Sequence, residues 1–305
     1  MGDARGPSAA VAAVAALFVN AFVWGVSWWP LRELHALGLH PLWSTALVYS
    51  VSMLIVLAAR PGAVRAFARE PLLWLLVAAC GVTNVGFNWG VTVGDVVRVV
   101  LLFYLMPAWS VLLAWPMLGE RPTRPRLARL ALALAGVAIV LRPDDVPWPV
   151  PRGLADWLAL SGGFSFALTN ILLRRLQRLP TESRILAMFG GGAALAAIAG
   201  CVGIAHGVAQ APAGTAWAPL ALGLGVAFLA SNVCLQYGAA RLPAHTTALV
   251  MLSEVVFASF SSVALGAGEL TPKTVLGAAL ILAAAAWAAW PARDGDCAQG
   301  AQSAP

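Results

Sequence analysis

Long apolar stretches alternate with short polar ones along almost the whole chain. Ten of them approach the roughly 20 residues that a helix needs to cross a bilayer. They cover residues 9–29, 42–59, 71–91, 96–118, 126–141, 154–173, 184–205, 217–238, 245–266 and 273–290. The fifth is the shortest. This pattern predicts an all-α integral membrane protein with ten transmembrane helices.

The composition agrees with a membrane protein. Of the 305 residues, 60% are hydrophobic and 10% are charged, against roughly a quarter charged in soluble domains. The mean hydropathy is +0.82. Three of the cysteines lie inside predicted helices and Cys297 lies in the polar tail, without the paired spacing of a disulfide or metal site. We therefore expect no cofactor and no metal.

Basic residues indicate the orientation of the chain. The net charge is +6, but the arginines are scattered between apolar stretches and form no nucleic-acid-binding motif. A cytoplasmic N-terminus places fourteen of the 19 lysines and arginines in cytoplasmic segments, as the positive-inside rule requires. Both termini, including a polar tail at 292–305, are then predicted to be cytoplasmic.

The chain contains an internal repeat. A shift of 148 positions sets TNVGFNWG at 83–90 over SNVCLQYG at 231–238, with three identities and mostly conservative changes. A proline-rich stretch at 142–153 separates a first five-helix repeat, 1–141, from a second, 154–291, and is predicted to be an external linker. An odd number of spans per repeat makes the second enter the membrane from the opposite side. Such inverted repeats are typical of secondary transporters, with the substrate site between the halves.

Several short motifs recur at family-specific spacings. The clearest is a proline followed thirteen residues later by Gly-Glu, with a weaker echo in the second half where Val255 replaces the proline and one residue is added. The motifs are Trp24-Gly25, Tyr104–Pro107 to Gly119-Glu120-Arg121, Gly136, and Glu254–Phe257 to Gly268-Glu269. On these residues the chain resembles the drug/metabolite transporter superfamily, specifically the EamA-like transporters, over nearly its whole length.

The resemblance implies a function. Members of this family export or exchange small metabolites such as amino acids across the bacterial inner membrane, and relatives carry nucleotide sugars or cationic drugs. The expected partners are a small-molecule substrate and the lipid bilayer. An exporter of drugs or amines is the alternative cargo class, and a channel-like or structural membrane protein is the alternative function class.

One carboxyl group falls near the middle of a predicted span. Glu254 is about nine residues into the ninth helix, or roughly 14 Å along it, and a charge there costs about 2.5–3.5 kcal/mol on insertion scales. Glu254 is a candidate substrate-binding residue that alternates between protonated and ionised forms or holds a cationic group. The other interpretation is a structural carboxyl bonded to a neighbouring helix.

Amide side chains form two related rows on the third and eighth helices. Asn84 and Asn88 share a face, as do their repeat counterparts Asn232 and Gln236. We expect Asn88 and Gln236 either to bind a polar substrate or to bond between helices, and we expect a structural role for Asn84 and Asn232.

Aromatic residues mark the first helix of each repeat. Trp24 and Trp28 share a face beside Ser27, and a shift of 142 places Phe166 and Asn170 over the two tryptophans. Trp24, Ser27, Phe166 and Asn170 are therefore candidate substrate-binding residues, with stacking on a flat or cationic solute as their role. Helix packing is the rival explanation for the aromatic rings.

The fourth helix carries the remaining candidates. Arg98 follows Asp95 by three residues, which predicts an ion pair within the helix; an external gate or a clamp for a substrate carboxylate is the rival role. Deeper in the same helix, Tyr104 is a candidate ligand and Pro107 a candidate hinge, because proline interrupts the helical hydrogen bonds.

Other protein classes fit the sequence less well. An intramembrane enzyme needs a nucleophile–base pair or a metal cluster, and the histidines are far apart without HExxH spacing. No P-loop is present, so ATP-driven transport by this chain alone is not expected. Small residues in the tenth helix permit a homodimer without requiring one.

Overall fold

The fold is helical throughout the part that a computed structural model describes, which is residues 7–119, 123–142, 151–242, 247 and 250–289. No strand occurs among these residues, and a 3-10 helix covers Pro61–Ala68. The α-helices that we number are α1 (Pro7–Val26), α2 (Trp28–Ala36), α3 (Pro41–Ala59), α4 (Leu72–Val93), α5 (Val96–Phe103), α6 (Met106–Leu118), α7 (Arg124–Leu141), α8 (Leu154–Arg175), α9 (Thr181–Ala205), α10 (Ala218–Ala239), α11 (Ser253–Ala264) and α12 (Pro272–Ala289).

Seven stretches of the described chain are long and apolar enough to span a membrane. They are Ala10–Ala36, Pro41–Ala59, Leu72–Val93, Val96–Met117, Leu154–Arg175, Thr181–Ala205 and Ala218–Ala239. Shorter apolar helices lie in the predicted fifth, ninth and tenth spans. Large apolar side chains such as Phe260, 76% exposed, face outward, as lipid contact requires. The chain is a multi-pass membrane protein, and the total of ten spans stays a prediction.

Two predicted helices are interrupted in the first repeat. The first span breaks at Ser27, between α1 and α2, and the fourth breaks at Tyr104 and Leu105, between α5 and α6. Pro107 lies in the first turn of α6, where a proline forfeits no intrahelical hydrogen bond. The break therefore precedes the proline instead of following it.

The ninth span has a matching interruption. A turn at Leu252 precedes α11, and Leu252 follows Tyr104 by the same 148 positions that relate the two repeats. Glu254 consequently lies in the first turn of α11, not in the middle of a continuous helix as the sequence predicts. Residues 243–246 and 248–249 of this span lie outside the described residues, as do 143–150 of the predicted linker, Glu120 and the tail.

The two sequence repeats pack mainly against each other. Helix α4 lies against α8 and α9, α3 against α9 and α10, α1 against α10 and α11, and α7 against α12. Exchanging α1 with α8 and α4 with α10 converts the α4–α8 contact into the α10–α1 contact. The packing pattern of one repeat is thus repeated by the other.

Individual contacts repeat in the same exchanged form. A β-carbon at Gly225 would lie 2.7 Å from the Val48 carbonyl oxygen, and a β-carbon at Gly191 would collide with the Val77 carbonyl oxygen. Gly225 follows Val77 by 148 positions, and Gly191 follows Val48 by 143. Exchanging the two repeats therefore converts each contact into the other.

The close contact between α7 and α12 stays the same when the repeats are exchanged. A β-carbon on Gly136 of α7 would lie 2.8 Å from the Gly277 carbonyl oxygen, and a β-carbon on Gly277 of α12 would lie 2.8 Å from the Gly136 carbonyl oxygen. This equality indicates that α7 and α12 cross at a point of local two-fold symmetry. Only glycine permits such an approach of the two backbones.

Candidate functional site

Glu254 lies where three parts of the chain meet. The hydroxyl of Tyr104, at the break between α5 and α6, is 3.3 Å from Glu254 Oε2 and 3.3 Å from the Met251 carbonyl oxygen. On the other side, a β-carbon on Gly25 of α1 would lie 2.8 Å from the Glu254 carbonyl oxygen. The side chain of Glu254 is half-buried. The structure therefore brings Tyr104 and Glu254 together, as two of the predicted site residues.

Five aromatic rings form a row of contacts inside the bundle. Trp24 stacks on Phe228 at 4.5 Å between ring centroids and meets the edge of Phe87 at 6.2 Å. Phe87 contacts Phe103 at 5.0 Å, and Phe103 contacts Phe166 at 5.5 Å. The row joins rings from both repeats. Phe228 covers one face of Trp24, so only the remaining surface of this half-buried ring can meet a solute.

Ser27 is turned inward at the break between α1 and α2. Its hydroxyl donates a 2.8 Å hydrogen bond to the Trp24 carbonyl oxygen, and the residue is 1% exposed. The hydroxyl thus compensates for the interrupted helix. In this arrangement the hydroxyl bonds within its own span, and a role for Ser27 in substrate binding stays a prediction.

Asn88 is buried among helices of the first repeat. Its Nδ2 donates to Thr45 Oγ1 at 3.2 Å, while its Oδ1 is buried without a hydrogen-bond partner. One turn earlier, Asn84 Oδ1 accepts from the Tyr49 hydroxyl at 3.0 Å. Asn84 thus has the interhelical bond expected of it, and Asn88 combines an interhelical bond with a free acceptor.

Asn170 and Gln236 are exposed although each belongs to an inner helix face. Asn170 follows Gly163 by seven residues, and a β-carbon on Gly163 would lie 2.5 Å from the Phe103 carbonyl oxygen. Gln236 follows the buried Asn232 by four residues. Residues at these spacings share a face, so each polar residue follows a buried face of its helix towards the end where the structure leaves it exposed.

The opposite end of the bundle is closed by tryptophan and arginine. Trp28, the counterpart of Asn170, is 3% exposed and donates from Nε1 to Ser261 Oγ at 2.9 Å. Arg32 lies over the Trp28 ring and donates to the carbonyl oxygens of Val91, at 3.0 Å, and Gly94, at 2.5 Å. These bonds join α2 to α4 and α11 at the end predicted to be external.

Arg98 pairs with a carboxylate of the other repeat, so the predicted ion pair with Asp95 is wrong. Arg98 Nε lies 2.9 Å from Asp156 Oδ1, and Nη2 lies 2.8 Å from Oδ2. Arg98 also donates to the carbonyl oxygen of Val140, and Asp156 accepts from the Arg152 backbone N–H at 2.7 Å. A guanidinium so occupied has no free edge for a substrate carboxylate in this conformation.

Asp95 instead begins a helix and holds a loop. Its Oδ1 accepts from the Arg98 backbone N–H at 2.7 Å, which is the N-cap interaction of α5. Its Oδ2 accepts from the Glu269 backbone N–H at 3.0 Å. The helix-capping bond competes with the side-chain pair that the i, i+3 spacing predicts, and it leaves Arg98 free to reach Asp156.

Two contacts between the repeats escape prediction from the sequence. Asp156 lies in the first turn of the sixth predicted span, at the same predicted membrane side as Arg98, and that shared side was the available signal. Asn20 Nδ2 on α1 donates to Ser231 Oγ at 2.7 Å and to its carbonyl oxygen at 2.9 Å on α10. Both contacts connect residues of different repeats, which spacing within one helix cannot reveal.

Comparison with known proteins identifies the two repeats. The sequence model described as "EamA-like transporter family" matches residues 11–142 and again 153–290. A solved structure described as "Crystal structure of protein" superposes with a TM-score of 0.59 at 20% sequence identity, over 90% of this chain and 96% of that one. At this identity the likeness concerns the fold alone. No curated protein matches the sequence.

Proposed function

Since the chain belongs to the EamA-like transporter family and is therefore a membrane transporter of small molecules, we propose that it is a secondary transporter working by alternating access. It exports or exchanges a small metabolite across the bacterial inner membrane. The site lies between two inverted five-helix repeats, ten spans in all. Amino acids and cationic amines are the two cargo classes that we consider.

The observation that carries this proposal is the difference between the two ends of the bundle. At one end Trp28 and Asn88 are buried, and Arg98 is bonded to Asp156. At the other, the counterparts Asn170 and Gln236 are exposed. A pathway closed at one end and open at the other is the geometry of one state in an alternating-access cycle.

The inverted relation of the repeats supplies the second state. The contacts of Val48 with Gly225 and of Val77 with Gly191 are related by exchange of the repeats, as an approximate two-fold axis in the membrane plane requires. If each repeat adopts the conformation of the other, the closed end opens and the open end closes. The two states then have similar energies because the same contacts are made by equivalent residues.

The interrupted helices provide the moving parts. Breaks at Tyr104–Leu105 and at Leu252 occupy equivalent positions on the two sides of the proposed site, and discontinuous helices are the usual walls of transporter substrate sites. Pro107, at the start of α6, keeps α5 and α6 from merging into one helix and so maintains the hinge.

Glu254 is the coupling site of the proposed mechanism. It alternates between a protonated and an ionised form, or it holds the cationic group of the substrate, in a helix with no other charged residue among its described positions. The Tyr104 hydroxyl at 3.3 Å connects the state of this carboxyl to the break between α5 and α6. Energy then comes from an ion gradient, since the chain has no nucleotide-binding motif.

The positive-inside distribution sets the orientation in this proposal. The end with Arg98 and Asp156 faces the periplasm, the end with Asn170 and Gln236 faces the cytoplasm, and both termini are cytoplasmic. The repeats comprise 1–141 and 154–291, joined by an external linker at 142–153. A homodimer is compatible with this arrangement and is not needed for it.

Reconstituted flux tests the proposal. The full chain in proteoliposomes is given a labelled panel of amino acids and quaternary amines, with and without an imposed pH gradient, against protein-free liposomes. Saturable flux that responds to the gradient is expected. Flux that rises linearly with concentration and ignores the gradient would instead favour a channel, and a protein without flux of any panel member would leave a structural role.

A further inference from the structure

The short 3-10 helix Pro61–Ala68 connects α3 to α4 at the end of the bundle predicted to be cytoplasmic. The carbonyl oxygen of Ala63 accepts a 2.9 Å hydrogen bond from the Ser183 hydroxyl in the first turn of α9. Phe67 meets the Trp74 ring of α4 edge to face at 5.4 Å between centroids, and Trp74 Nε1 donates to the Phe67 carbonyl oxygen at 3.3 Å. The 3-10 helix is thus attached to both repeats.

The exposed surface around this 3-10 helix combines arginines with apolar side chains. Arg60, Arg65 and Arg69 are all exposed. Val64 is 48% exposed and Trp74 is 60% exposed. Basic residues next to exposed tryptophan and aliphatic side chains are typical of a segment that lies in the headgroup region of a bilayer. The surface therefore has the composition of a membrane-interface element.

Positive charge exceeds negative charge on this surface. None of the three arginines forms an ion pair with a carboxylate of the described residues. Glu70 is the acidic residue nearest to them in sequence, and its Oε1 accepts from the Leu72 backbone N–H at 3.3 Å. Arg184, in the first turn of α9, adds a fourth guanidinium, which donates to Thr181 Oγ1 at 3.0 Å. Four arginines thus accompany two glutamates, Glu70 and Glu182.

The basic corner is the surface that comprises Arg60, Arg65, Arg69, Arg184 and Trp74. We infer that it binds the headgroup of an anionic phospholipid from the adjoining leaflet. Guanidinium groups bind phosphate oxygens through paired hydrogen bonds, and several of them beside a membrane-spanning helix attract anionic lipid. A soluble phosphate would use the arginines alone, whereas a lipid also covers the exposed ring of Trp74 with an acyl chain. The inference requires only a membrane-spanning chain and is independent of the proposed transport mechanism.

Lipid titration of two charge-matched double variants tests this inference. The full chain in a neutral detergent receives dioleoylphosphatidylglycerol or dioleoylphosphatidylcholine, and bound lipid is measured by native mass spectrometry. The anionic lipid is expected to bind at least about tenfold more tightly than the zwitterionic one. Replacing Arg65 and Arg69 together by Gln should weaken binding of the anionic lipid about tenfold. Replacing Arg142 and Arg152 together by Gln removes the same charge from exposed arginines beside the predicted external linker and should leave the binding unchanged.

Four other outcomes would overturn the inference. Equal binding of the two lipids, or no binding of phosphatidylglycerol, would exclude recognition of an anionic headgroup. Equal losses in the two double variants would reduce the effect to the overall charge of the protein. Glycerophosphoglycerol carries the same phosphodiester without acyl chains, and if it binds as tightly as the lipid, the basic corner takes a soluble phosphate ester instead. Binding to the unaltered chain should also weaken as salt is added, so salt-independent binding would contradict contact with the arginines even where a double variant fails to fold.

Discussion

Arg98 and Asp156 form a two-pronged ion pair that joins the first repeat to the second, with N–O distances of 2.9 and 2.8 Å. Their side chains are 18% and 4% exposed, so solvent screens the pair weakly. Because removing one partner leaves a buried charge, we expect Asp156→Asn to lower the free energy of unfolding by about 3 kcal/mol. Thermal unfolding in detergent measures this loss.

A double-mutant cycle isolates the pair. Arg98→Gln combined with Asp156→Asn should cost less than the sum of the two single changes, because neither charge is then left alone. Arg152→Gln is the matched control, since only the backbone of Arg152 contacts Asp156. Additive losses from the two single variants would show that the residues do not interact.

Replacement of glycine by alanine should have opposite effects at Gly136, in the close crossing of α7 and α12, and at Gly223, in α10. A β-carbon on Gly136 would lie 2.8 Å from the Gly277 carbonyl oxygen, whereas nothing lies within 4 Å of one on Gly223. Gly136→Ala should therefore destabilise the protein by about 1–3 kcal/mol, and Gly223→Ala should stabilise it by up to about 1 kcal/mol. The unfolding temperatures of both variants test this prediction. Equal shifts of the two unfolding temperatures would contradict the close crossing of α7 and α12.

The open end predicts which positions react with a water-soluble thiol reagent. In a background with all native cysteines replaced, Gln236→Cys and Asn170→Cys should be modified rapidly, and Asn88→Cys slowly, because Asn88 is 1% exposed. Inside-out vesicles should give the faster reaction if the open end is cytoplasmic. Faster modification of Asn88→Cys than of Gln236→Cys would contradict the closed end.

The sequence predicts the helices better than it predicts the site. Apolar length predicts the spans, of which seven match long apolar helices of the described residues, and the short motifs identify the family, because both depend on composition and local order. The breaks at Ser27 and Tyr104 are not visible in the hydrophobic pattern, since a broken helix inside a membrane is as apolar as an intact one. Only Pro107 signals the second break, and it does so one turn late.

The site residues show the same difference between features that are local in the sequence and features that depend on packing. Glu254 and Tyr104 come together because the repeats pack on each other, which the repeat itself suggests. Gln236 is equivalent to Asn88 in sequence, yet one is exposed and the other buried, a difference that the proposed mechanism attributes to the two ends of the bundle. Spacing within a helix cannot distinguish those ends, just as it cannot pair Arg98 with Asp156.

Trp24 should contribute to ligand binding through its aromatic surface. Its ring is half-buried and stacks on Phe228 at 4.5 Å, so a ligand meets a ring that is already held in place. Trp24→Ala should weaken the binding of a panel solute that the protein transports about tenfold, corresponding to roughly 1.4 kcal/mol, and Trp24→Phe should retain most of the affinity. Trp157→Ala, at a ring that is 61% exposed, is the control and should bind as the unaltered protein does.

Gradient-driven flux of the panel of amino acids and quaternary amines through the unaltered chain, Glu254→Gln and Glu269→Gln is the most direct test of transport through a site at Glu254. The account predicts saturable, gradient-dependent flux in the unaltered chain and in Glu269→Gln, and a loss of the gradient dependence in Glu254→Gln with the unfolding temperature maintained. Retained flux with an unchanged response to the pH gradient in Glu254→Gln would contradict it, and would remove Glu254 from the mechanism.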